Sequence, residues 1–478
     1  MVTEKSAIFI IFGGSGDLAH RKLYPSLFRL YKSGILKDHF AVIGTARRPW
    51  SDDYFRETVI TSLEDYFEDD KKIMEEFAKH FFYQSHDVND SEHYIALKNL
   101  AAKLDDQFET GHNRVYYMAI APRFFGTVAE HINSEGLKTD GYNRLVIEKP
   151  FGRDLDSACE LNGNISKAFP EDDIYRIDHY LGKEMIQDIP HIRANNPVFE
   201  KALNNQYVSN VQVTLAESLG VEDRGGYYET AGVLRDMVQN HIMQIIGAVA
   251  SDDPKATDAK IIHKDKTNLF NSLKVLTAEQ VDTDFVRGQY DTDKLGDQKA
   301  YRQEDNVAED SEIETFTAGR IEFESDRWSG VPFYVRSGKR MPAKSSRIDI
   351  VFNEKVADLG IKANTVVTLL IEPEDGNSIL INGINYKESG QDFIKFPEEE
   401  EFDSAREAYE SLIIDILSGN RVHFTLWDEL RSTWKYIDSI RERWDSQTPD
   451  FPNYLSGTMG PDAAEMLLER DGNSWAWD

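Results

Sequence analysis

Residues 7–12 form an unbroken apolar run, Ala7 to Phe12, followed by Gly13-Gly14-Ser15-Gly16 and then by Leu23, Leu27, Leu30 and Tyr31 at helical spacing. That succession predicts a buried strand, a glycine turn and an amphipathic helix. Short apolar runs recur at 40–45, 81–84, 115–119, 145–148 and 174–177, separated by helical patterns near 91–107, 123–137 and 154–168. Strands alternating with helices predict a parallel, doubly wound α/β sheet with helices on both faces. After Leu181 the pattern changes. Alternating strands are predicted at 210–217, 320–323, 333–336, 347–352, 366–371 and 378–384, several joined by little more than turns. Helices near 226–250, 403–418 and 428–443 are predicted to cover them, and 251–312 shows no clear element. The second half is therefore expected to be an α+β domain with a mainly antiparallel sheet. The expected division is 1–178 and 179–478.

Length agrees with two domains, since 478 residues exceed what one hydrophobic core ordinarily serves. No stretch approaches the roughly 20 apolar residues of a membrane-crossing helix, and the N-terminus lacks a signal-peptide core, so a cytoplasmic protein without membrane partners is expected. Cys159 is the only cysteine, which excludes an internal disulfide and a cysteine-built metal cluster. A formal net charge of −30 argues against nucleic acid as a partner. Runs such as Glu398-Glu399-Glu400-Glu401 read as solvated surface. A small anion is a different matter, because a local basic pocket outweighs distant charges screened by water and salt.

Gly14, Gly16 and Ala19 have the G-x-G-x-x-A spacing in the required strand-to-helix context. The spacing supplies a tight turn, close backbone approach to a pyrophosphate and a small residue for helix packing, as in a Rossmann-like dinucleotide site. The following helix start offers free N–H groups to phosphate. The second predicted strand ends in Ala46-Arg47-Arg48, where an NAD site would carry an acid. Arginine there favours the 2′-phosphate of NADP, with Ser15 as another donor, although two solvent-facing arginines would read the same way. Ligands collect at the carboxyl ends of such strands, which puts Gly14 to Gly16, Arg47, Asp87, Ala121 and Lys149 along one rim. Lys149 ends a buried strand and precedes Pro150, before which a cis peptide bond is least costly.

The densest chemistry lies at Tyr175-Arg176-Ile177-Asp178-His179-Tyr180-Leu181-Gly182-Lys183. Lysine and protonated histidine suit a phosphate, and an aspartate can hold an imidazole in one tautomer. A polar turn after a strand is the plainer reading of the same run. His241 falls in an apolar stripe with Leu234, Val238, Ile245 and Val249; it is either a satisfied core histidine or a partly buried proton acceptor of the kind that oxidation of a carbinol needs. On an α-helix Asp236 lies about 140° from it. Glu217, at a strand end, is a further acceptor for sugar hydroxyls. Arg336-Ser337-Gly338-Lys339-Arg340-Met341-Pro342-Ala343-Lys344 inverts the chain's charge locally, as an edge-strand guard or as an anion clamp.

Gly13 to Ala19, Glu148-Lys149-Pro150-Phe151-Gly152, Arg176 to Glu184, Gln239-Asn240-His241 and Arg336 to Arg340 together resemble glucose-6-phosphate dehydrogenase, in that family's order and over nearly the whole chain. The likeness is strongest to bacterial members of lactic-acid type. The resemblance implies oxidation of glucose 6-phosphate to 6-phosphogluconolactone, the first step of the oxidative pentose phosphate pathway, with NADP and in several members also NAD. It implies His241 as general base and Asp178 as its carboxylate partner. His179, Tyr180 and Lys183 would grip the 6-phosphate, with Lys22, Lys149, Glu217, Asp236, Lys339 and Lys344 around the sugar. On the cofactor side it implies Gly14, Ser15, Gly16, Asp17, Leu18, Arg47, Arg48, Asp87, Val88, Tyr117 and Lys149. It implies no metal, and a homodimer through the second domain's sheet. Two rivals stay open. Another two-domain sugar dehydrogenase would leave the charge of His179 and Lys183 without a phosphate partner. A non-catalytic NADP-sensing protein would have no use for a poised Asp178 and His241.

Overall fold

All six residues of β1 (Ala7–Phe12) are buried, which explains a continuous apolar run where a half-exposed strand would alternate. In the computed structural model, which describes residues 4–372, 378–395 and 407–477, β1 pairs in parallel with β2 (Phe40–Ala46) and β4 (Arg114–Met118). With β3 (Phe81–Ser85), β5 (Asn143–Glu148) and β6 (Ile174–Ile177) they form a six-stranded sheet. The order is β3-β2-β1-β4-β5-β6, every pair parallel. Strand order reverses between β1 and β4, so the carboxyl ends flank the crevice where doubly wound sheets bind ligands. This is the α/β, Rossmann-like arrangement expected. No helix among the described residues is long and apolar enough to cross a membrane.

The chain divides into two compact units, Met1–Gly182 with Arg406–Trp427, and Lys183–Ala405 with Asp428–Asp478. The division differs from 178/179 chiefly in the return of Arg406–Trp427 to the first unit. The helix Ala408–Ser418, expected to cover the second sheet, buries Leu412, Ile413, Ile416 and Leu417 in one core with Val146, Tyr175 and Ile177. Its apolar stripe reads identically for either partner, and burial of such side chains is worth about 1.5–3 kcal/mol each wherever it occurs. Arg176 fixes the return. It is buried at the end of β6, bonded to Glu171 and Asn162, and donates to the Thr425 carbonyl at 3.3 Å. The acidic run 398–401 lies outside the described residues.

The second unit holds β7 (Val208–Ala216), β8 (Phe285–Gly288), β9 (Tyr290–Asp291), β10 (Phe316–Ile321), β11 (Phe333–Gly338), β12 (Ser345–Phe352), β13 (Val366–Glu372), β14 (Ser378–Ile381), β15 (Ile384–Asn385) and β16 (Tyr454–Leu455). The main sheet runs β15-β14-β13-β12-β7-β11-β10-β8 and is antiparallel except for β7 with β11; β9 and β16 make a small parallel pair. The strand expected at 320–323 is displaced to β10. Its buried positions begin at Phe316, whereas Glu322, past its end, pairs with Arg320 and Lys274 at the surface. The stretch 251–312 contains the helices Ala259–Asn271 and Ala278–Asp284 as well as β8 and β9.

The helix expected at 226–250 is not one α-helix. Gly225–Val233 breaks at Gly232, whose φ of 64° and ψ of 168° leave the helix; a Cβ there would lie 2.3 Å from Glu314 Oε1. Leu234–Ile242 is then a π-helix, and Met243–Ala250 returns to α geometry. Hydrogen bonds in a π-helix span five residues, as from the Met243 N–H to the Val238 carbonyl, so residues five apart are about one turn apart. Asp236 therefore stacks one turn before His241, which corrects the 140° separation expected of an α-helix.

Candidate functional site

The glycine turn follows β1 under close backbone constraint. Gly13 has φ 92°, and a Cβ on it would lie 2.1 Å from the Ala119 carbonyl oxygen; a Cβ on Gly14 would meet Gly44 Cα at 2.7 Å. Tyr24 donates its hydroxyl to the Gly14 carbonyl, and the Gly16 N–H bonds the Gly13 carbonyl at 2.9 Å. The turn is thus pressed against the β1–β4 switch point, as a pyrophosphate cradle requires. The helix beyond it winds as a π-turn over Ala19–Leu23, with Ala19 fully buried. Asp17 and Lys22 are exposed, Asp17 paired with Arg21 at 3.4 Å, and Leu18 packs on the core.

Around this turn, residues at and just past the carboxyl ends of the strands line one rim. Arg47 and Arg48 are exposed just past β2, with Arg48 5.5 Å over the Trp50 ring. Asp87, past β3, accepts from the Asn89 backbone and side chain, both at 3.0 Å, which lowers its pKa. The Val88 carbonyl accepts from Tyr94 at 2.8 Å. Tyr117, buried on β4, donates to Glu148 Oε1 at 2.5 Å, and Tyr409 from the returning segment reaches the same oxygen at 3.2 Å. Burial pushes the Glu148 carboxyl up to about 7 even though both phenols hydrogen-bond to it. The Lys149–Pro150 bond that follows is cis. Past β6, Asp178 is buried and takes the Tyr180 N–H on Oδ1 at 3.0 Å, which turns His179–Gly182 into a 3-10 helix with the His179 and Tyr180 rings 4.9 Å apart.

In the second unit, Lys183 precedes the helix Glu184–Asn195. Its ammonium pairs with Glu372 at the end of β13, and Lys344 reaches the same carboxylate at 3.3 Å. Lys339, just past β11, pairs with Glu217 at the end of β7. The backbone pins them together, through Glu217 N–H to the Gly338 carbonyl and Met341 N–H to the Glu217 carbonyl. Asp236 accepts from the Tyr227 hydroxyl at 3.0 Å, and His241 is 1% exposed on the π-helical segment. The basic cluster 336–344 is not one clamp. Arg336 is fully buried, donates to the Trp477 carbonyl at 2.6 Å and stacks 4.1 Å over Trp475; Arg340 pairs with Glu304 and Glu222. Lys339 and Lys344 are likewise ion-paired, with Glu217 and Glu372, and Lys344 is the more exposed of the two.

The chain matches two family models end to end, the NAD binding domain of glucose-6-phosphate dehydrogenase over residues 10–188 and its C-terminal domain over 190–476. The chain belongs to the glucose-6-phosphate dehydrogenase family. Glucose-6-phosphate 1-dehydrogenase of Streptococcus pneumoniae is 46% identical over 485 residues, covering 99% of this chain and 97% of that one. The Leuconostoc mesenteroides enzyme is 43% identical with both chains covered in full. Among solved structures, a glucose-6-phosphate dehydrogenase in complex with glucose 6-phosphate superposes with a TM-score of 0.87 at 29% identity, covering 99% of this chain and 100% of that one. The Mycobacterium avium enzyme gives 0.80 at 28%, covering 100% and 99%. As a glucose-6-phosphate dehydrogenase family member the chain is an oxidoreductase with a nicotinamide dinucleotide-binding unit.

Two features of this family member escape a reading of its sequence. Glu372 reads as the polar end of an apolar strand, and its signal is only that an acid ends a run otherwise buried. Tyr409 carries no signal, because nothing in a helical stripe shows that it returns to the first sheet. Glu148 is visible in sequence as part of Glu-Lys-Pro, but its burial under two phenols is a tertiary fact.

Proposed function

We propose that this chain oxidises glucose 6-phosphate at C1 to the lactone, using NADP and also accepting NAD, as the first step of the oxidative pentose phosphate pathway. The observation that carries the mechanism is the burial of His241 on a π-helical turn with Asp236 one turn before it. A buried imidazole is suited to take the C1 hydroxyl proton. Asp178 then orients that ring and stabilises the imidazolium that forms, as the aspartate of a hydrolase triad does. The nicotinamide, when bound, supplies the hydride acceptor.

The remaining residues bind and orient. Gly14, Ser15, Gly16, Asp17 and Leu18 cradle the pyrophosphate, and the close fit of the glycine backbone to its neighbours supports that group. Arg47 and Arg48 meet the 2′-phosphate, while Asp87, Val88, Tyr117 and Lys149 line the rim. His179, Tyr180 and Lys183 hold the 6-phosphate. Lys22, Lys149, Glu217, Asp236, Lys339 and Lys344 surround the sugar. Family likeness further supports a cytoplasmic homodimer joined through the antiparallel sheet.

The test is cofactor reduction by the purified protein with glucose 6-phosphate or unphosphorylated glucose, each with NADP and NAD. Reduction dependent on the phosphate ester is expected. No reduction with either cofactor would remove the enzymatic reading.

A further inference from the structure

Tyr228 is 2% exposed, and its hydroxyl has no hydrogen-bond partner among the described residues. A buried hydroxyl left in that state destabilises the fold. Its surroundings are polar. Lys339 Nζ lies 5.4 Å over the ring, and the carboxylates of Asp236, Glu217 and Glu314 all act on the phenol. Each carboxylate already has another donor. Asp236 takes the Tyr227 hydroxyl, Glu217 takes Lys339, and Glu314 takes Arg441 at 2.8 Å. The Lys339 backbone is fixed as well, its N–H on the Thr315 carbonyl at 3.0 Å and its carbonyl accepting from Tyr454 at 2.8 Å. The phenol is therefore a donor and acceptor held rigidly beside a ring of engaged polar groups. A small hydroxylated molecule set among those groups would complete its bonding.

We propose that the Tyr228 hydroxyl is a direct hydrogen-bond contact for a ring hydroxyl of the sugar phosphate. The inference rests on the reading of Glu217, Asp236 and Lys339 as sugar-binding groups. The contact makes Tyr228 a specificity residue, because a site built to bond a hydroxyl discriminates strongly against an analogue lacking it.

Tyr228→Phe removes one oxygen from an otherwise unchanged ring. The expected result is a KM for glucose 6-phosphate raised roughly 5- to 20-fold, the value of one hydrogen bond, with the KM for NADP held and the thermal midpoint of the free protein raised, because the variant no longer buries an unpartnered hydroxyl. With 2-, 3- and 4-deoxyglucose 6-phosphates in turn, wild type and variant should differ for all but the analogue lacking the contacted hydroxyl. An unchanged KM for glucose 6-phosphate, or a loss shared equally by NADP, overturns the contact. A wild-type protein that does not oxidise glucose 6-phosphate overturns the functional reading beneath it, a result distinct from either.

Discussion

Lys183 Nζ lies 2.5 Å from Glu372 Oε1, and Lys344 approaches the same oxygen at 3.3 Å. Ser346 donates to the other oxygen at 3.0 Å, and the carboxylate is 12% exposed. Burial alone would push this carboxyl up, but the Lys183 hydrogen bond and the two ammonium charges bring it below the ordinary range. A carboxyl with a depressed folded-state pKa stabilises the fold above its unfolded pKa and loses that contribution as pH falls through the folded value. Glu372 thus acts as a counter-ion shared by two lysines. Glu372→Gln should lower stability by about 1–3 kcal/mol near neutral pH, because the part-buried Lys183 ammonium loses the carboxylate it pairs with. Inorganic phosphate, supplying the missing charge, should raise the thermal midpoint of the variant more than that of the parent. Equal shifts would separate these lysines from phosphate binding.

His241 is placed by the Gly232 break and the π-turn, and the mechanism asks it only to accept a proton. His241→Asn should lower kcat by at least roughly 100-fold, the scale of a lost general base, while the KM for glucose 6-phosphate stays within a few-fold. An unchanged kcat in steady-state assays would take His241 out of the chemistry.

The parallel sheet is legible in sequence because a strand buried on both faces has no alternative to a continuous apolar run, and because Gly14, Gly16 and Ala19 mark its first turn. Most strands of the antiparallel sheet are legible, but β8 is not and neither is the order, since period-two alternation does not name a partner. Leu412, Ile413 and Ile416 show the limit most clearly. Their stripe specifies burial and not against which sheet. Asp236 and His241 show another. Helical periodicity sets residues at α spacing, and the π-turn that stacks these two follows from a break at Gly232 that depends on Glu314, far along the chain. Arg336 and Arg340 show a third, for a basic run in sequence reads as one surface until each guanidinium is seen with its own partner.

Arg47 stands exposed just beyond β2, the position that in dinucleotide-binding doubly wound folds faces the adenosine ribose. A guanidinium there pairs with a 2′-phosphate and gains nothing comparable from a 2′-hydroxyl. Arg47→Ala should therefore raise the KM for NADP at least about tenfold, the cost of a charge-assisted bond, and change the KM for NAD little. Equal losses for the two cofactors would show that Arg47 does not read the 2′-phosphate.

His86, next to Asp87, is 2% exposed, and neither ring nitrogen has a partner among the described residues. It packs edge-on to Phe12 at 5.6 Å and Tyr94 at 4.5 Å. Burial pushes its pKa down to about 4; the neighbouring His93 and His131 act the same way, and Asp87 and Asp90 oppose them. The unfolded histidine titrates near 6.5, so between about pH 4 and pH 6.5 the unfolded chain binds more protons than the fold and stability rises with pH. The imidazole consequently costs the fold most on the acid side. His86→Phe keeps the aromatic packing and removes both orphan nitrogens. It should stabilise the protein in denaturant titrations, by about 2 kcal/mol more at pH 5 than at pH 7.5. A gain of the same size at both pH values would mean that His86 is not held neutral in the fold, and a loss at both would mean that its nitrogens do bond in solution.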